Sequence, residues 1–118
     1  MQWFHAHIYF NSPEERKAAV DLQAQIAALK LKTLRVYDLI DRAIGPHPVP
    51  MFEADFELQD FAAIVPWLMY NRGGLSILVH PLTEPELPNA LKDHTLRPLW
   101  LGKELELKLD ILRNLAAK

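Results

Sequence analysis

Cysteine is absent from the 118 residues. That removes disulfides, thiolate metal sites and a thiol nucleophile, and leaves His, Asp and Glu as the side chains able to hold a metal. An excess of either charge is also lacking. The 13 basic residues stand against 15 acidic ones with no basic run, so the electrostatic footprint of a nucleic-acid binder is missing. The apolar runs are short and interrupted, too short to span a bilayer. The first residues lack a charged segment followed by an apolar one. A cytoplasmic protein with no membrane partner is the expectation. No repeat, low-complexity segment or linker divides the chain, and its length suits a single domain over residues 1–118. Half the residues are hydrophobic and 24% are charged, the balance of a folded globular protein.

Histidine and proline carry the information that is present. Most of the nine prolines cluster around His47 and between His80 and Trp100, which biases those stretches toward extended, fixed loops. Two of the five histidines lie in Phe4-His5-Ala6-His7-Ile8-Tyr9-Phe10. As a β-strand this segment puts Phe4, Ala6, Ile8 and Phe10 on one face and Trp3, His5, His7 and Tyr9 on the other. The two imidazoles are then one pleat apart, about 6–7 Å along the strand, close enough to share a ligand or a metal.

Ser12-Pro13-Glu14-Glu15 is a strong helix start, with Ser12 as cap, Pro13 at the first helical position and Glu15 able to close a capping box. The spacing of Ala19, Leu22, Ile26 and Leu29 predicts one helical face to about Lys30. Leu34 to Ile40 predicts a second strand, and Asp41 to Pro50 a loop holding Gly45-Pro46-His47-Pro48. Met51 to Leu58 alternates most cleanly, with Phe52, Ala54 and Phe56 against Met51, Glu53, Asp55 and Glu57. A second helix is expected from about Asp60, kinked or restarted at Pro66, and stopped by Asn71-Arg72-Gly73-Gly74. Leu75 to His80 predicts a fourth strand and Leu82 to Pro98 an irregular segment. Pro98 to Leu101 predicts a short edge strand, and a C-terminal helix starts near Asp110. Leu105, Leu107 and Leu109 alternate just before it.

The order β-α-β-β-α-β with a C-terminal extension predicts an α+β, ferredoxin-like fold: an antiparallel sheet in the order 4-1-3-2 with both helices on one face. With Phe4, Ala6, Ile8, Phe52, Ala54, Phe56, Leu75, Ile77 and Val79 turned to the helices, His5, His7, Glu53, Asp55, Ser76 and His80 share the uncovered face. His5 and His80 meet there, because the start of the first strand lies against the end of the fourth. Two His and one carboxylate with open positions is the ligand set of mononuclear non-haem Fe(II) enzymes, and it also suits zinc. A lone strand His is more often structural; three imidazoles and a carboxylate pair on one face are a metal-site pattern. His47, between two prolines, is either an exposed loop residue or a stiffly presented acid–base group. His94 follows Asp93, which could orient it. Arg72 either caps its helix or binds a substrate carboxylate, and Tyr9, beside His7, is a second candidate for substrate contact.

The combination of His5-Ala6-His7-Ile8-Tyr9-Phe10, Gly45-Pro46-His47-Pro48, Met51-Phe52-Glu53, Pro66-Trp67-Leu68, Asn71-Arg72-Gly73-Gly74-Leu75-Ser76, Val79-His80-Pro81, Asp93-His94-Thr95 and Trp100-Leu101-Gly102 resembles the DOPA 4,5-dioxygenase family over nearly the whole chain. The resemblance implies an extradiol-type dioxygenase that opens a catechol ring with O₂. It also implies that His5, His7, His47, Glu53, His80 and His94 belong to the site. One departure is Thr83-Glu84-Pro85-Glu86, where family members carry Thr-Gly-Asp after the His-Pro. The expectation is therefore Fe(II), or zinc in purified protein, on His7, His80 and Glu53 with His5 as the alternate ligand, and His47 and His94 as acid and base. Two other readings share the fold. One is a non-catalytic dimeric binding module pairing through Trp3, Tyr9 and Met51; the other is a cofactor-free oxygenase. A homodimer fits the first two.

Overall fold

The alternation around His5 produces the central strand of the sheet, β1 (Trp3–Tyr9). In this computed structural model, which describes residues 2–116, β1 is followed by α1 (Pro13–Ala28), β2 (Arg35–Val36), β3 (Met51–Glu57), α2 (Leu58–Asn71) and β4 (Ile77–Leu82), then by α3 (Glu86–Thr95), β5 (Leu99–Leu101) and α4 (Asp110–Ala116). The sheet runs β2-β3-β1-β4-β5, antiparallel throughout. This is the expected ferredoxin-like order with the edge strand added beside β4.

Local chemistry explains most boundaries. The Ser12 side chain accepts from Glu15 N–H at 3.0 Å, while Glu15 reaches back to Asn11 N–H at 2.7 Å, so the first turn of α1 is capped from both directions. Lys30 takes the left-handed conformation that ends the helix. Ala6, Ile8, Phe10, Phe52, Phe56, Ile77 and Val79 pack against Ala19, Leu22 and Ile26 of α1 and Ile64, Val65 and Leu68 of α2. The face the alternation assigned to the core is the one the helices cover.

Four elements differ from expectation. Strand β2 is two residues long rather than seven. Beyond it the chain leaves the sheet and returns as a bridge from Ile40 to Met51. From Val36 to Ile40 is four residues while Ala54 to Met51 is three, so one extra residue is bulged out of the ladder. Helix α2 runs unbroken through Pro66, because Pro66 and Ala62, whose carbonyl loses its partner, both lie on the exposed face. Strand β4 is shifted to residues 77–82 and includes Pro81. That position is tolerated because β5 pairs only with 77–79, leaving the outer edge free there. The segment 86–95, expected to be irregular, is helical apart from Leu87. Its prolines fall at the start, and Asn89 to Thr95 contains no breaker.

The largest difference concerns the second face of the sheet, which is not uncovered. Tyr9, Met51 and Leu78 form a smaller core there, roofed by Ile40, Ile44 and Val49 of the loop before β3 and by Trp100, Leu105 and Leu107. A backbone hydrogen bond from Lys108 N–H to the Pro46 carbonyl, 2.7 Å, ties the two roof segments together. Tyr9 and Met51 are therefore buried by their own chain, so of the three residues named for a dimer contact only Trp3 stays part-exposed. Among the described residues no helix is long and apolar enough to cross a membrane.

Candidate active site

All five histidines meet beneath that roof. The β1–β4 register sets His5 opposite His80, and the β1–β3 register sets His7 opposite Glu53 and His5 opposite Asp55. His7, His47 and His80 are buried, His5 and His94 half-buried. Ring centroids lie 4.1 Å apart for His7 and His47, 4.1 Å for His80 and His94, and 5.1 Å for both His7–His80 and His5–His80. His7 Nε2 and His80 Nε2 are 3.0 Å apart. One ligand atom from each of His5, His7 and His80 falls within 4.8 Å of the others; the same holds for His7, His47 and His94, and for His5, Glu53 and Asp55.

The backbone fixes how two of these rings are protonated. A carbonyl oxygen can only accept, so a ring nitrogen facing one must carry the proton. His80 Nδ1 faces the Pro81 carbonyl at 2.9 Å and His94 Nδ1 faces the Ala90 carbonyl at 2.7 Å. Both rings therefore present an Nε2 lone pair. His7 Nδ1 is buried without a hydrogen-bond partner, with Glu53 Oε1 3.6 Å away. Glu53 thus addresses the nitrogen of His7 opposite the one that meets His80, and it groups with His5 and Asp55 instead of with the His7–His80 pair.

The enclosure sets the charge state. Burial, then the neighbouring rings, hold His7 well below the ordinary imidazole range. The same causes bring His80 to about 3 and His47 to about 4, and burial lowers His94 as well. All four are neutral at pH 7. Burial and the adjacent Asp55 carboxyl push Glu53 up to about 8. The histidine shifts give a sign to acid stability. Below the ordinary histidine value of about 6.5 the unfolded chain takes up protons that the fold refuses, each costing about 1.4 kcal/mol per pH unit. Glu53 works the other way between its ordinary value and about 8, but as one group against four. The metal-free protein is therefore expected to lose stability steadily as pH falls from 6.5 toward 4. Urea midpoints measured across that range check this; a flat profile would mean that the rings are solvated.

His94 is brought to the site by a buried latch absent from the sequence reading. Asp93, 2% exposed, accepts from Thr83 N–H and Thr83 O–H, both at 2.8 Å, and from Arg97 at 2.8 Å. Burial alone would raise this carboxyl; the Arg97 and Thr83 donors outweigh it and leave Asp93 below its usual range. The latch pins α3 to the end of β4 and points the next residue, His94, at His80. Its sequence signal was the i, i+4 pair Asp93 and Arg97, visible only once a helix is assigned there.

Arg72 does not join the site. Its Nη1 donates to the carbonyls of Gly73 at 3.1 Å and Leu75 at 3.0 Å, tying the end of α2 to the chain entering β4. Its role is architectural, because the helix ends on the core side of the sheet. Gly102, just past β5, lies against the same guanidinium with φ +78°, and a Cβ added there would sit 2.5 Å from Arg72 Nη1. Gly102→Ala is expected to cost about 1–3 kcal/mol, read as a lowered denaturation midpoint. Unchanged stability would mean that the guanidinium swings away freely. Lys108 and Arg113 instead line a cleft of about 960 Å³ whose wall includes His94, Pro48, Pro98, Trp100 and Leu105. Nothing in their spacing marked them.

Fold and site together define a ferredoxin-like protein with a roofed polyhistidine centre beside an open cleft. The sequence matches the Dopa 4,5-dioxygenase family over residues 4–111, and the chain belongs to that family. It is 39% identical over 114 residues to the DOPA 4,5-dioxygenase of Amanita muscaria, and 42% identical over 118 residues to an uncharacterized 21.2 kDa protein of Botryotinia fuckeliana. These alignments cover 92% and 95% of this chain but 48% and 64% of the relatives, so the chain spans about half to two thirds of their length. The crystal structure of a provisionally named dioxygenase from Nostoc punctiforme superposes with a TM-score of 0.86 at 39% identity, covering 98% of this chain and 94% of that one.

Proposed function

We propose that this chain is a metal-dependent extradiol dioxygenase that cleaves a catechol ring beside its two hydroxyls and places both atoms of O₂ in the ring-opened semialdehyde product. The observation that carries the reading is the buried His7–His80 pair, whose Nε2 atoms lie 3.0 Å apart with a ring nitrogen of His5 close to both. Two nitrogens sharing one ion at bonds of about 2.1 Å and a right angle stand about 3.0 Å apart, which matches the spacing found. An ion there also resolves the unpartnered atom: with Nε2 committed to the metal, His7 carries its proton on Nδ1, facing Glu53.

His5, His7 and His80 would hold the ion, with Glu53 orienting His7 and the Pro81 carbonyl orienting His80. This revises the first-choice set, moving Glu53 from ligand to orienting carboxylate. Fe(II), when bound, supplies the redox chemistry that lets O₂ react with a catechol, and Zn(II) fits the same nitrogens without supplying it. The chain does the rest. The apolar wall of the cleft takes the aromatic ring, while Lys108 and Arg113 offer positive charge to an acidic side group. The neutral His94, with its lone pair on Nε2, is placed to take a catechol proton, and His47 is its partner in acid–base work. Ile44, Val49, Leu105 and Leu107 pack over Tyr9, Met51 and Leu78 and so add an apolar surface beside the rings.

The test is anaerobic reconstitution with Fe(II), followed by air and a panel of catechols including L-DOPA, caffeate and protocatechuate. One iron per chain, oxygen uptake and a new visible absorbance from the semialdehyde are the expected results. Metal retention without oxygen uptake would leave a metal-binding module, and turnover without metal a cofactor-free oxygenase.

A further inference from the structure

We infer that Tyr9 is a positioning residue that sets the tautomer of His47, making His47 the hydrogen-bond donor in a site whose other fixed rings present lone pairs. Tyr9 Oη lies 2.7 Å from His47 Nδ1, and both side chains are buried. A buried phenol must place its proton on an acceptor, and His47 Nδ1 is the acceptor in reach among the described residues. If His47 instead carried its proton on Nδ1, the phenol hydrogen would be stranded, at a cost that a two-fold tautomer choice easily avoids. Nδ1 therefore accepts, and the ring proton sits on Nε2. Burial raises the Tyr9 hydroxyl above its ordinary range, so it stays a phenol and keeps its proton to give.

Both partners are held rigidly. Tyr9 stacks on Trp100, with centroids 6.0 Å apart and planes 22° from parallel, and packs with Met51 and Leu78. His47 sits between two prolines, its N–H bonded to the Ile44 carbonyl at 3.0 Å, in the loop that Lys108 N–H ties down at Pro46. His80 and His94 are fixed in the opposite tautomer by the Pro81 and Ala90 carbonyls. The neighbouring imidazoles thus divide by role: His80 and His94 offer electron pairs, and His47 offers an N–H. A neutral Nε2–H is not a metal ligand at that nitrogen, so His47 is set apart to donate to an oxygen that gains negative charge as a catechol reacts. The tautomer follows from hydrogen bonding alone; its use on a substrate oxygen rests on the dioxygenase reading.

Histidine-selective ¹H–¹⁵N NMR on the full chain, metal-free and with Zn(II) added, tests this, using His47→Gln to assign the signals. The expected spectrum shows His47 protonated on Nε2, and His80 and His94 on Nδ1. In Tyr9→Phe, which keeps the ring and its stack on Trp100, His47 becomes a mixture of tautomers, and kcat for the best catechol falls about 10-fold or more with KM within two-fold. His47 found protonated on Nδ1 in the wild type overturns the assignment, and this reading does not depend on any variant folding. An unchanged His47 signal in Tyr9→Phe overturns the role of Tyr9. The expected tautomers in a protein that consumes no oxygen leave the assignment standing and remove the dioxygenase reading.

Discussion

Replacing His7 or His80 with alanine is expected to abolish metal retention and to lower catechol oxygenation by about 10³-fold or more. Loss of a group that merely hydrogen-bonds a metal ligand already costs about 10–100-fold, and loss of the ligand itself costs more. The two residues stand on different strands, and their Nε2 atoms form the 3.0 Å pair at the middle of the histidine cluster. Metal content by atomic spectroscopy is the primary readout, and the backbone should tolerate the change, since neither ring belongs to the main apolar core. Glu53→Gln separates the roles on that site. As an orienting carboxylate 3.6 Å from His7 Nδ1, it should weaken metal binding by about 10–100-fold without abolishing it. Full metal content in both alanine variants would move the ion elsewhere, to the Glu53–Asp55 carboxylates beside His5. Complete loss in Glu53→Gln would return Glu53 to the ligand set.

The second large effect is expected at Asp93. Asp93→Ala removes a buried carboxylate that satisfies two groups of Thr83 and one of Arg97. The Thr83 N–H loses its acceptor, while Arg97, about a third exposed, turns to water. The expected destabilisation is about 3 kcal/mol, large against the about 5–15 kcal/mol that holds a domain of this size together. Activity should fall further than stability explains, because α3 is freed and His94 moves with it. Denaturation midpoints and kcat measured at a temperature where the variant remains folded separate the two. Asp93→Asn keeps the acceptor for Thr83 but not the charge, and should recover part of the stability. A variant as stable as the wild type would show that α3 is held by its packing alone.

The period-2 pattern of Phe4 to Phe10 and of Met51 to Glu57 carried most of the fold, because a strand with one buried face leaves little freedom of register. That same register, legible in the alternation, brings His5, His7, Glu53 and His80 together. His47 and His94 could be named as candidates but not placed, because they stand on a loop and on a helix hidden behind Pro85 and Pro88. The roof was written in scattered apolar loop residues, Ile44, Val49, Leu105 and Leu107, that follow no helical period. The alternation of Leu105 and Leu107 was its one local trace, the mark of an extended segment lying on a surface. Arg72 shows the opposite failure: a cation after a helix has the same sequence signature whether it meets a substrate or its own backbone.

The pairing of β1 between β3 and β4 also bears on how the protein is made. His7 and His80 are 73 positions apart, and β1 precedes both of its neighbours in the chain. His5 and His7 are therefore synthesised before β3 and β4, the strands that complete their surroundings. A fold dominated by such distant pairings has high contact order and forms slowly. No fragment ending before His80 can assemble the His7–His80 pair, so an ion held by that pair would be captured by the assembled sheet and would report on it. Added metal would then raise the unfolding temperature by mass action, and the cell's supply of the ion would act on how much of this protein survives as well as on how fast it works.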